Sequence, residues 1–140
     1  MSAINIRTVT EVRESFSAYL DDVIRKSPQA IKRHRDSFIT MSPEHVDAML
    51  DHVSFTLTFD NEENGSVSGT LEEVGLSANA PDLQALEDKL ANYLLEYADD
   101  YMSQFTRYFL SPNRRAHFPY VMKAVIQPDR AALTALFKHA

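Results

Sequence analysis

Apolar residues at Val9, Val12, Phe16, Leu20, Val23 and Ile24 recur at three- and four-residue steps, the spacing that keeps side chains on one helical face. They predict a helix running from Val9 through Lys26. Ahead of it Ile4-Asn5-Ile6 reads as a short β segment, and Thr8 followed by Glu11 forms a capping-box pair. Ser27-Pro28 ends the helix. Gln29–Arg33 and Ser37–Met41, flanking the polar turn His34-Arg35-Asp36, predict a hairpin. Pro43 stands where a first helical turn tolerates proline, and Val46, Met49 and Leu50 give the helix after it an apolar stripe.

The pattern then changes period. Val53, Phe55, Leu57 and Phe59 alternate with Ser54, Thr56, Thr58 and Asp60, as in a strand buried on one face. Asn61–Gly65 is turn-rich, Val67, Gly69 and Leu71 resume the alternation, and Gly75–Ala78 is a candidate third strand. Asn79-Ala80-Pro81-Asp82 signals a helix start. From Leu83 through Leu86, Leu90, Leu94, Tyr97, Tyr101, Phe105 to Tyr108 the helical spacing predicts one helix of about seven turns, stopped by Ser111-Pro112-Asn113. Phe118–Gln127 suits a strand or a buried helix equally, and Pro128-Asp129 opens a terminal helix carrying Leu133, Leu136 and Phe137.

The fold class expected is therefore α+β: a small βαββα unit over residues 1–52, then an antiparallel sheet with a long helix over 53–140. Charge supports the division. Residues 1–50 hold seven Lys/Arg and seven Asp/Glu, with five basic residues and no acid between Arg25 and Arg35, whereas the rest of the chain carries the whole net charge of −6. An apolar share of 44% is enough for a core. No apolar run reaches the roughly 18 residues of a membrane span and no secretory pattern is visible, so a cytoplasmic protein without membrane contact is expected. Without cysteine there is no disulfide, thiol nucleophile or thiolate metal site.

Thr8-Val9-Thr10-Glu11-Val12-Arg13, the Phe16–Tyr19–Leu20 stripe, Ala30-Ile31-Lys32-Arg33-His34 and Phe38-Ile39-Thr40-Met41-Ser42 follow one another in an order that resembles the Phd/YefM (prevent-host-death) antitoxins, over residues 4–52. Val12 replaces that family's usual alanine, and Arg35-Asp36-Ser37 stands where a Gly-Lys-Pro type turn is common. The resemblance implies a dimer, or a higher even oligomer, that binds a palindromic operator, represses its own operon and neutralises a co-encoded toxin. It places DNA contact on Arg13 and Arg33, with Thr8, Thr10, Lys32 and His34 beside them. The second half, through Val-Ser-Gly-Thr-Leu-Glu-Glu-Val-Gly-Leu and its Leu/Ala-rich helix, resembles the partial RNase H fold of HicB-type antitoxins. That implies a folded partner-binding domain in place of a flexible toxin-wrapping tail.

The residues themselves favour the same chemistry. Arginine forks onto guanine edges, and a basic two-stranded ribbon suits a DNA groove. Lys32 and Arg35 are expected to position the duplex through phosphates. Because strand neighbours point to opposite faces, Lys32 and Arg33 are not expected to share a groove. The opposing possibility is that these cations are solvated or paired with Glu14, Asp36 or Asp47.

Tyr93, Tyr97, Tyr101 and Tyr108 are read first as a core-facing stripe and second as the border of a partner interface. The acidic second half would suit a basic, ribonuclease-type toxin. The histidines at 34, 45, 52, 117 and 139 match no ligand spacing, so neither a metal nor another cofactor is expected. Asp60, Glu62, Glu63, Glu72 and Glu73 raise a metal-dependent nuclease, but turn chemistry explains them as well, and no enzyme is expected. Beside the antitoxin reading stand a stand-alone dimeric regulator and a structural interaction module without a toxin.

Overall fold

The computed structural model describes residues 3–140. The chain divides into two compact units, Met1–Met49 and Leu50–Ala140.

Unit 1 opens with β1 (Asn5–Thr8), α1 (Val9–Glu14) and α2 (Phe16–Arg25), followed by β2 (Gln29–Arg33), β3 (Asp36–Thr40) and α3 (Pro43–Met49). The single helix expected from Val9 to Lys26 is interrupted at Ser15, whose backbone leaves the helical region (φ −134°, ψ 48°). The break lets Val12 on α1 and Tyr19 and Val23 on α2 form one small core with Ile31. The sheet order is β1-β2-β3, with β1 parallel to β2 and β2 antiparallel to β3. Arg33 pairs with Asp36, so the hairpin loop is His34-Arg35 alone and Asp36 belongs to the strand. His34 takes a positive φ of 53° there, as the twist of a two-residue hairpin favours. On α3 the expected stripe is only partial: Val46 is half-buried and Met49 is exposed.

Unit 2 contains β4 (Phe55–Asn61), β5 (Val67–Leu71), β6 (Leu76–Ala80) and the 21-residue α4 (Leu83–Ser103), capped by the Asp82 carboxylate accepting from Ala85 N at 2.8 Å. Then come α5 (Phe105–Leu110), α6 (Pro112–Arg115), α7 (Phe118–Val125), α8 (Arg130–Thr134) and β7 (Phe137–His139). The sheet order is β6-β5-β4-β7, and β7 runs parallel to β4. An all-antiparallel sheet with Phe137 on a terminal helix is thus corrected. The helices α4–α8 form a long crossover, which returns the chain in the parallel sense, and Phe137 pairs with Phe55 at the sheet's edge.

The alternation in β4 and β5 buries Phe55, Leu57, Val67 and Leu71 against Leu86, Leu90, Leu94 and Tyr101 of α4. The predicted seven-turn helix ends at Gln104 (φ −124°, ψ 45°). This kink turns Phe105 and Tyr108 back, so that they meet Tyr101 and Phe105 meets Phe118 at the start of α7. Aromatic packing here outweighs continuation of a helix whose propensity is ordinary. The ambiguous stretch after residue 118 resolves as the α7 helix, with Val121 and Ala124 buried. Among the described residues no helix is long and apolar enough to cross a membrane.

Candidate nucleic-acid interface

Thr8 ends β1 and caps α1, its Oγ1 accepting from Glu11 N at 3.2 Å. Its register partner in the parallel ladder is Lys32. The ladder therefore sets the start of α1 beside the end of β2, although Thr8 and Lys32 are far apart in sequence. Thr8, Val9, Thr10, Arg13, Lys32, Arg33 and His34 line one concave surface. Six of the seven residues expected to meet DNA are brought together there; Arg35 is exposed on the hairpin loop and is not part of the lining. Val9 joins them without having been singled out: as an apolar helix residue it carries no chemical signal of its own.

One expectation about this surface needs correction. Lys32 and Arg33 share it, because β1 ends opposite Lys32 and leaves β2 uncovered beyond that point. Arg13 lies on α1. With α1 only six residues long, it occupies the last turn, where a cation suits the helix dipole.

Electrostatically the surface is open. Arg33 and Asp36 approach to 3.9 Å with both side chains more than half exposed, a pair worth about 0–1 kcal/mol that water and a phosphate readily displace. Among the described residues no carboxylate pairs with Arg13 or Lys32. Behind the surface the unit is braced by Arg7, which pairs with Asp22 and lies over the Tyr19 ring at 5.6 Å, and by Tyr19 bonded to Thr40. The hydrogen bond from Arg7, helped by Lys26, holds the Asp22 carboxyl below its ordinary value.

The apolar stripe of the first helical region divides in two. Val12, Tyr19 and Val23 are buried, whereas Phe16, Leu20 and Ile24 stand exposed at four-residue steps along α2, with Phe38 and Ile39 of β3 also exposed. Helical periodicity registered both sets and could not separate a core from a second apolar face.

A family described as antitoxin of toxin–antitoxin, RelE/RelB, TA system (PHD-like) matches residues 3–138, which is nearly the whole chain and spans both units. The chain belongs to this antitoxin family. A crystal structure from Syntrophomonas wolfei subsp. wolfei, an antitoxin part of a proposed toxin/antitoxin system, is 31% identical and superposes with a TM-score of 0.90 over 98% of this chain and 99% of that one. No curated protein matches. The match assigns both units to one antitoxin family; it does not single out Phd/YefM for the first or HicB for the second.

In unit 2 of the antitoxin, Tyr97 and Tyr101 lie inside the core, as the first of their two readings has it. Tyr108 is half-buried against that core and Tyr93 is half-buried on α4. Two of the five carboxylates weighed as catalytic have local tasks. Glu73 accepts from Thr56 N and Oγ1 at 2.7 and 2.6 Å, and Glu72 accepts from Thr58. Among the described residues no group of three or more His, Asp or Glu is placed to hold a metal ion, and an antitoxin family is one of regulators rather than enzymes.

Proposed function

We propose that this antitoxin represses its own operon, binding a palindromic operator through unit 1 as a homodimer and holding its toxin through unit 2. The observation that carries the DNA half is the convergence of Arg13, Lys32, Arg33 and two threonines on one open surface. A two-fold protein matches a two-fold site, and the exposed Phe16–Leu20–Ile24 stripe supports a dimer, since apolar patches of this kind mark association surfaces. For the toxin half, residues 51–100 carry twelve Asp/Glu against one Lys. On α4 the exposed Glu96 and Asp99 flank Leu95 in a groove closed by Val125. A surface that sets exposed apolar residues among acidic ones complements a basic protein such as a ribonuclease-type toxin.

The test is binding of the purified chain to its own promoter DNA at about 0.15 M ionic strength, with Arg13→Ala/Arg33→Ala alongside. Saturable binding that outcompetes random DNA and is lost in the double variant is the expected result. If Arg33 reads a base, its loss alone costs roughly 1–3 kcal/mol and relaxes specificity, whereas Lys32→Ala weakens all sequences alike. Operator binding untouched by the double variant would overturn the assignment of this surface.

A further inference from the structure

Unit 2 is acidic as a whole, yet its charge is sharply divided. After Asp100 no Asp or Glu occurs until Asp129, and in that interval stand Arg107, Arg114 and Arg115 on α5 and α6. Both short helices meet at Ser111, where an extended residue followed by Pro112 turns the chain. All three arginines are exposed. Among the described residues none of them has a carboxylate within ion-pair distance.

Two of them are held by aromatic rings instead. The Arg114 guanidinium lies over Tyr97 at 5.4 Å and over Tyr108 at 5.5 Å, and Arg115 lies over Phe109 at 4.3 Å. The Arg114 carbonyl accepts from Tyr101 Oη at 2.8 Å, which ties this short helix to the buried end of α4. Arg107 is oriented by Gln104 Oε1 at 3.1 Å. A guanidinium packed over a ring keeps N–H groups for other partners, and an exposed arginine without a carboxylate partner suits phosphate. Acidic side chains would have satisfied these cations more simply if their role were only structural.

We infer that the α5–α6 corner is a second polyanion-binding surface, separate from the one on unit 1, and that it contacts the phosphate backbone of duplex DNA. It supplies affinity without sequence reading, because none of its groups needs a base edge. It neither uses the unit 1 residues nor depends on their assignment.

The test uses the full chain in four forms: wild type, Arg13→Ala/Arg33→Ala, Arg107→Gln/Arg115→Gln, and Arg107→Lys/Arg115→Lys. Arg114 is left in place because it is packed between two rings. Each is titrated with labelled operator and random-sequence duplexes, and with labelled poly-glutamate, over a range of salt. Two lost phosphate contacts should make the slope of log K against log salt shallower by about 2, at roughly 0.9 per phosphate. The lysine pair should restore the slope, and thermal melting should show all forms folded.

Discrimination between operator and random DNA should survive the glutamine pair and vanish in the unit 1 pair. An unchanged affinity and slope in the glutamine pair overturns the inference whether or not unit 1 binds the operator. Random-duplex binding lost only in the glutamine pair sustains the corner while sinking the unit 1 assignment. Corner-dependent capture of poly-glutamate in the absence of any DNA contact would overturn it in favour of an acidic protein, and an absence of all DNA binding by the wild type overturns both assignments.

Discussion

Gly69→Ala should destabilise unit 2, and the amount follows from what a Cβ would meet. It would sit 2.8 Å from Leu86 Cδ2, 2.9 Å from the Thr58 carbonyl oxygen and 3.1 Å from Phe59 Cβ. Carbon pairs rest comfortably at about 3.5–4.0 Å. Leu86 is fully buried and has little room to swing, and the Thr58 oxygen belongs to the backbone of the neighbouring strand β4. The methyl group must therefore push β5 and α4 apart.

Overpacking of this kind costs about 1–3 kcal/mol, against which the stiffer unfolded chain returns roughly 0.4–1 kcal/mol. Taken at the middle of both ranges, the net is a loss of about 1–2 kcal/mol. For a unit of this size 1 kcal/mol moves Tm by roughly 4–8 °C, so a fall of about 4–16 °C is expected. The assay is thermal unfolding followed by near-UV circular dichroism, to which the tyrosine cluster of unit 2 reports. A Tm equal to or above wild type would refute the argument. Gly65 and Gly75 provide the contrast: an added Cβ meets nothing within 4 Å, but φ is +87° and +68°. Alanine there should cost about 1–2 kcal/mol through backbone conformation alone.

Other outcomes follow from the same structure. Thr8→Ala removes the α1 cap and should lower the stability of unit 1 by about 1 kcal/mol in denaturant titration; an unchanged midpoint would mean that Glu11 N finds water at no cost. Leu20→Glu/Ile24→Glu, both on the exposed face of α2, should convert the proposed dimer to a monomer in light scattering without loss of helicity, and a mass unaffected by the change would place the dimer contact elsewhere. Burial, and next the nearby Arg114 charge, hold the His117 imidazole below its ordinary value, with Nδ1 2.6 Å from Tyr97 Oη. The unfolded chain then takes up a proton near pH 6.5 that the fold resists. The stabilisation of unit 2 is full above about pH 6.5 and falls as pH drops from there toward the folded value. His117→Gln should flatten that part of the Tm–pH curve, and an identical curve in the variant would remove His117 as its source.

Local pattern determined much of this protein. Period-two alternation specified β4 and β5 and which of their faces is buried, since a strand has only two faces to choose between. Capping chemistry located the starts of α1 and α4, at Thr8 and Asp82, because these bonds close within three residues. The order of small motifs also carried a resemblance to antitoxins, and the family match bears that class out.

Tertiary structure decided what depends on residues far apart. Ser15 and Gln104 carry no break signal of their own; the helices end there because Tyr19 must reach Ile31 and Thr40, and Phe105 must reach Phe118. Phe137 left the terminal helix for the edge of a sheet whose partner strand lies some eighty residues earlier. The concave surface of unit 1 exists only because a parallel ladder sets Thr8 against Lys32. Phe16 and Val23 look alike in sequence, and only packing tells the exposed one from the buried one. Periodicity reports that a side chain avoids water, but which surface covers it is settled by contacts between distant segments, or between molecules, that no local window contains.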